Sequence, residues 1–294
     1  MAARRAFLAL PFLLLEACGS PAPDANVRFA NHGGLRIHWQ EQGSGTPVLL
    51  IMGHRYSSRM WYAAIPALAQ QHRVISFDNR GTGLSGSSAD FTIQDMAKDA
   101  LAVMDAAGVP SAHVYGVSLG GGIAYELALE QPQRVRSLIL GCTRMKTEVT
   151  EFSWLKRASY YLPATLMNGL LTRNKGDSSA ADPEAVAFAN DVVRTDPYSA
   201  SGVAGQSQAT ARYATTAEAM KTLTMPALVL HGDEDHTVPY EAGRELANAL
   251  PNSRFETLKG AGHNFFLAQR ERANRLVLDF LQQVDRKTQP DLQR

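Results

Sequence analysis

This chain of 294 residues predicts an α/β fold, a mostly parallel sheet with helices on both faces. Three observations lead there. First, short apolar runs alternate with stretches of helical spacing, the pattern of strands buried on both sides by crossover helices. Second, one apolar run passes through Gly116-Val117-Ser118-Leu119-Gly120-Gly121-Gly122 and continues as a helix-like stretch from Ile123 to Leu129. Third, two later apolar runs each end in a polar loop. Ala227–Gly232 leads into Asp233-Glu234-Asp235-His236, and Phe255–Leu258 into Gly260-Ala261-Gly262-His263.

Taken in order, Leu35 to Glu41 alternates as a half-buried strand, and Pro47–Met52 and Arg73–Phe77 are short apolar strands. Ile93, Met96, Ala97, Ala100, Leu101 and Met104 share one helical face, and Gly108-Val109-Pro110 ends that helix. Ala112–Tyr115 and Val135–Leu140 read as strands on either side of the helix after Ser118. The order then breaks between Thr143 and Leu223, and a structureless loop of that length does not fit a compact domain. Residues 143–222 are therefore expected to form a helical cap inserted into a core of residues 27–142 and 223–285. Within the cap, Phe152, Trp154, Leu155, Tyr160 and Tyr161 either line an apolar pocket or pack the cap onto the core. Residues 286–294 read as a polar tail.

Gly-x-Ser-x-Gly between a strand and a helix is the sequence form of a nucleophile elbow. Gly116 and Gly120 give the room such a tight turn requires, and Ser118 is lifted over a helix N-terminus that favours negative charge. Leu119, the residue after the serine, offers its backbone N–H to an oxyanion. A dinucleotide loop is the weaker reading, because Gly-x-Gly-x-x-Gly needs glycine where Ser118 stands. A serine hydroxyl needs a base, and the elbow's expected chain order of acid then histidine is met downstream by the Asp233–Asp235 loop and His263. His231, Asp233, Asp235 and His236 also invite a metal reading, but their spacing matches no recognisable ligand set, so no metal is expected. His231 reads as a packed residue at a strand end.

Together, GVSLGG around Ser118, HGDEDHTVP around Asp235, GAGHNFF around His263 and DNRGTGLS at 78–85 resemble the α/β-hydrolase superfamily over roughly Val27 to Val284. Leu50-Ile51-Met52-Gly53 and Phe77-Asp78-Asn79-Arg80 look most like the esterases related to aclacinomycin methylesterase. The resemblance implies a triad of Ser118, Asp235 and His263, with Asp235 preferred over Asp233 by its place three residues before Val238-Pro239. It also implies a second oxyanion N–H at His54, since the family's His-Gly-x stands here as Met52-Gly53-His54. The His54 side chain either reaches the pocket or faces solvent. Asp78 and Arg80 either touch substrate or hold their own loop, and the second is favoured. The implied activity is cofactor-free hydrolysis of a small carboxylic ester. Lactone, thioester or carbon–carbon hydrolysis, perhydrolysis, and ligand sensing without turnover are the alternatives. Ser118 argues against the dehalogenases and epoxide hydrolases of this superfamily, whose nucleophile is an aspartate.

A net charge of +1 with dispersed basic residues argues against nucleic acid as the main partner. Arg4 and Arg5 precede the apolar run Phe7–Leu15, which is too short to span a membrane and fits a signal peptide over residues 1–18. Leu15-Glu16-Ala17-Cys18 resembles a lipobox, although Glu16 departs from it, and residues 19–26 read as a flexible tether. A lipidated Cys18 would anchor the protein to a membrane of the bacterial envelope, and plain secretion is the alternative. Cys142 is then left single, so no disulfide framework is expected.

Overall fold

The computed structural model describes residues 27–146 and 183–288. Among the described residues, eight strands form one sheet: β1 (Arg28–His32), β2 (Leu35–Gln42), β3 (Thr46–Ile51), β4 (His72–Phe77), β5 (Ala112–Val117), β6 (Val135–Gly141), β7 (Ala227–Gly232) and β8 (Ser253–Leu258). Their spatial order is β1-β2-β4-β3-β5-β6-β7-β8. β2 runs antiparallel to β1 and to β4, and every pairing from β4 to β8 is parallel. The β1–β2 hairpin turns at Gly33-Gly34, both with positive φ, as glycine permits.

The central strands are apolar on both faces because both faces are covered. On β3, Leu49 and Ile51 pack into one core with helix α2 (Ile93–Ala106), helix α3 (Leu119–Glu130) and helix α7 (Tyr240–Ala249). Val48 and Leu50 enter a second core with helix α1 (Ala64–Leu68), the short helix α8 (Phe265–Ala268) and helix α9 (Arg270–Thr288). α2 starts on a capping box, Thr92 and Asp95 each accepting from the other's backbone N–H. It ends where Gly108 takes φ +65°. α9 runs past Asp285, through the first residues of the expected polar tail.

Of the expected cap, helices α4 (Pro183–Thr195), α5 (Ala200–Arg212) and α6 (Ala217–Lys221) lie among the described residues. The aromatic stretch from Phe152 to Tyr161 lies outside them, as do Cys18 and the whole N-terminal segment. α4 and α5 are moored to the loops that follow β3 and β4. Arg59 pairs with Asp191 and Asp196. Gln206 donates to Arg80 O at 2.9 Å and accepts from Arg55 N–H at 2.8 Å. Thr82 and Tyr198 form a β-bridge. Among the described residues, no helix is long and apolar enough to cross a membrane.

Candidate active site

The site lies at the C-terminal ends of β3, β5, β6, β7 and β8, where an open α/β sheet collects its loops. β5 ends at Val117, and Ser118 takes φ +54°, ψ −122° before α3 begins at Leu119. A non-glycine residue rarely holds a positive φ, so neighbours must impose it. Ser118 N–H donates to Gly141 O at 2.8 Å, and Thr143 Oγ–H donates to Ser118 O at 2.8 Å. A Cβ on Gly116 would sit 2.1 Å from Gly120 O, and one on Gly120 would sit 2.1 Å from Ile51 O. Both elbow glycines therefore stand where backbone meets backbone.

The three residues expected as a triad come together from three different loops. Ser118 Oγ–H points to His263 Nε2 at 3.0 Å, and His263 Nδ1–H donates to Asp235 Oδ2 at 2.8 Å. Asp235 Oδ1 accepts from Thr237 N–H and Val238 N–H, both at 2.8 Å. Burial opposes ionisation of Asp235, but hydrogen bonds from His231 and His263 outweigh it, and its pKa lies below the usual carboxylate range. Burial also opposes the imidazolium of His263. The neighbouring Cys142 and the hydrogen bond and charge of Asp235 favour it, and the balance lies well above the usual histidine range. Burial pushes the Cys142 thiol up and keeps it neutral, so Asp235 is the charge that holds the imidazolium. Asp233 is spent elsewhere, its carboxylate accepting from Gly260 N–H at 2.7 Å as a loop cap.

The candidate oxyanion donors flank the serine. Leu119 opens α3, so its N–H has no partner inside the helix. A Cβ on Gly53 would lie 3.3 Å from Ser118 Cβ, so the loop carrying His54 runs directly over the nucleophile. The His54 ring is half-buried and turned to the cap. It bonds Val203 O at 3.1 Å and Ser207 Oγ at 3.0 Å, both on α5.

Asp78 and Arg80 are buried in structural bonds. Asp78 accepts from His38 Nδ1–H, Ser58 N–H and Ser58 Oγ–H, and Leu84 N–H, all between 2.7 and 3.0 Å. Arg80 makes a fork onto Asp99 at 2.6 and 2.8 Å. One contributor was not legible in the sequence as more than packing. His231, fully buried on β7, donates from Nε2 to Val238 O at 3.0 Å and lies 3.2 Å from Asp235 Oδ2. The acid is thus held by two histidines and two backbone amides. Among the described residues, no group of three or more His, Cys, Asp or Glu is arranged to hold a metal ion.

A family model of the alpha/beta hydrolase fold matches residues 46–268. A Mycobacterium tuberculosis protein, provisionally named non-heme bromoperoxidase BpoC, is 30% identical over 264 residues, spanning 85% of this chain and 99% of its own. The 2-hydroxymuconate semialdehyde hydrolase of Pseudomonas putida is 31% identical over 270 residues, spanning 86% of this chain and 92% of its own. The thermophilic esterase of Thermogutta terrifontis superposes with a TM-score of 0.78 at 25% identity, covering 88% of this chain and 97% of the other. With the sheet order and the elbow already in place, the chain belongs to the alpha/beta hydrolase fold family.

Proposed function

We propose that the protein is a serine hydrolase that cleaves a carboxylic ester through an acyl-enzyme. The observation that carries this is the unbroken hydrogen-bond line from Ser118 through His263 to Asp235. Ser118 Oγ attacks the ester carbonyl carbon while its proton passes to His263 Nε2. The carbonyl oxygen becomes an oxyanion facing the N–H groups of Leu119 and His54. Its collapse breaks the bond to the alcohol oxygen, which takes the proton from His263. Water then repeats the cycle, giving up a proton to His263 and releasing the acid and free Ser118. Each oxyanion donor contributes about 3 kcal/mol at the transition state.

A p-nitrophenyl ester series from acetate to decanoate tests the reading. Ser118→Ala should lose at least about 10⁴-fold in kcat/KM. Retained activity in that variant would remove Ser118 from the mechanism. A second reading is hydrolysis of another acyl bond, in a lactone, a thioester or a carbon–carbon linkage. It is favoured by the relative named 2-hydroxymuconate semialdehyde hydrolase, whose name specifies no ester. A folded protein inert to every ester yet labelled at Ser118 by a fluorophosphonate would move the assignment there.

We further propose that Cys18 carries a lipid that tethers the enzyme outside the cytoplasm, on the strength of Arg4, Arg5, the apolar run Phe7–Leu15 and the lipobox-like Leu15-Glu16-Ala17-Cys18. Cells fed labelled palmitate should incorporate label into the protein, and Cys18→Ala should abolish it. An unlabelled wild-type chain would favour plain secretion.

A further inference from the structure

Gln206 is fully buried on the cap helix α5, a place where a polar side chain needs partners. Its amide has two, on two different loops of the core. Nε2–H donates to Arg80 O at 2.9 Å, and Oε1 accepts from Arg55 N–H at 2.8 Å. Arg55 takes φ +73°, a left-handed conformation that a non-glycine residue holds only when its surroundings impose it. The Arg55 N–H belongs to the peptide that leaves His54, and the N–H of His54 itself is the second candidate oxyanion donor. The His54 ring is held by Val203 O and Ser207 Oγ of the same helix.

The helix that carries Gln206 is set hard against the core. A Cβ on Gly202 would lie 2.6 Å from Gly81 Cα, and one on Gly205 would lie 2.5 Å from the Phe91 ring. Ser199 N–H, at the start of α5, donates to Gly81 O at 2.9 Å. Glycines weaken a helix interior, and what these two allow is close approach of the helix to the loop after β4. That loop is firm in turn, because the Arg80 guanidinium forks onto buried Asp99. Gln206 therefore ties the segment after β3 to a fixed frame.

We infer that Gln206 is a positioning residue for the oxyanion hole, supplied by the cap. It acts through Arg55 N–H. By accepting that bond it holds the peptide after His54, and with it the His54 N–H, where the carbonyl oxygen becomes negative. Donors of this kind work only when fixed in place before the reaction, and a misplacement of about 1 Å costs on the order of 10²-fold in rate. The inference deepens the hydrolase reading and rests on it. The core carries Ser118, His263 and Asp235, but the hole is set only with α5 docked.

The test uses Gln206→Met and Gln206→Glu in the full chain. Methionine fills a similar volume and loses both bonds. Glutamate keeps an acceptor for Arg55 N–H and, as a carboxylate, loses the donation to Arg80 O. With a p-nitrophenyl ester that wild type cleaves, Gln206→Met should lower kcat about 30-fold and leave KM within about twofold, because the hole acts on the transition state. Phenylboronic acid, whose tetrahedral adduct on Ser118 puts an oxygen in the same hole, should bind more weakly by a similar factor. Gln206→Glu should keep kcat within about threefold of wild type, although both variants unfold at lower urea. Arg212→Ala, which breaks the exposed pair with Asp90 on the same helix, should leave kcat unchanged. Should Gln206→Met not fold, Gln206→Ala, which leaves room for water to satisfy both loops, takes its place with the same expected split. A loss confined to KM, an unchanged kcat, or losses in the methionine and glutamate variants that simply follow their urea midpoints overturns the inference. If wild type cleaves no ester, the rate at which a fluorophosphonate labels Ser118 decides separately, since that reaction uses the same hole. Labelling slowed about tenfold or more in Gln206→Met supports the positioning role, and equal rates remove it. A wild type that neither cleaves nor labels removes the hydrolase reading and this inference with it.

Discussion

Asp235→Asn should lower kcat by about 10⁴-fold, the loss expected when a triad acid is replaced and the histidine is left in the wrong tautomer. In this chain the acid is over-determined, with Thr237 and Val238 N–H on one oxygen and the two histidines at the other. An asparagine cannot satisfy that set, because its NH₂ would face a donor on one side or the other. The same substitution should be visible without any substrate. Asp235 holds the His263 imidazolium, so the wild-type ring should titrate above the ordinary histidine range. kcat/KM depends on neutral His263. Activity should therefore rise with pH through an ionisation above 6.5, the unperturbed histidine value. Removing the charge should move the His263 midpoint down. Carbon-labelled histidine followed by NMR across pH 4–10 reads this directly. A midpoint unmoved by Asp235→Asn would mean that the carboxylate does not control the base.

The second large effect is steric. Gly120→Ala should cost roughly 3 kcal/mol or more in unfolding free energy and remove most activity, because overpacking against backbone cannot be relieved by a rotamer. The added carbon would lie 2.1 Å from Ile51 O and 2.8 Å from Met52 O, both main-chain atoms. Two positions along the same helix, the outcome reverses. A Cβ on Gly122 meets nothing nearer than the Tyr125 hydroxyl at 3.7 Å. Gly122→Ala should therefore be neutral or stabilising by up to about 1 kcal/mol, from helix propensity. Urea unfolding of the two variants side by side checks both. Equal midpoints for Gly120→Ala and wild type would show that the elbow has slack that the geometry denies.

Much of this site is legible in the sequence, and the reason is local chemistry. The elbow around Ser118 is a backbone device, and backbone devices advertise themselves through glycine. β3 to β7 show as apolar runs because burial on both faces leaves no alternation to confuse. β1 does not show in the sequence for the opposite reason, since only Ala30 of Arg28–His32 is buried and five residues with one inward side chain carry no period. His231 reads in the sequence as packing because its partners, Val238 O and Asp235, are set by how the following loop folds back, and no spacing encodes that. Arg55 was invisible for a related reason. Nothing in His54-Arg55-Tyr56 announces a left-handed residue, since the conformation is imposed by Gln206, distant in sequence. The choice of Asp235 over Asp233 needed the family pattern, and the structure gives it a physical basis in the different bonds of the two carboxylates.

The bonds from the His54 ring to Val203 and Ser207, and from Arg55 N–H to Gln206, all land on one cap helix. The peptide segment that would cradle the reacting oxygen is thus tied directly to the cap. A displacement of α5 would pull on the same few atoms that must be still when the carbonyl reacts.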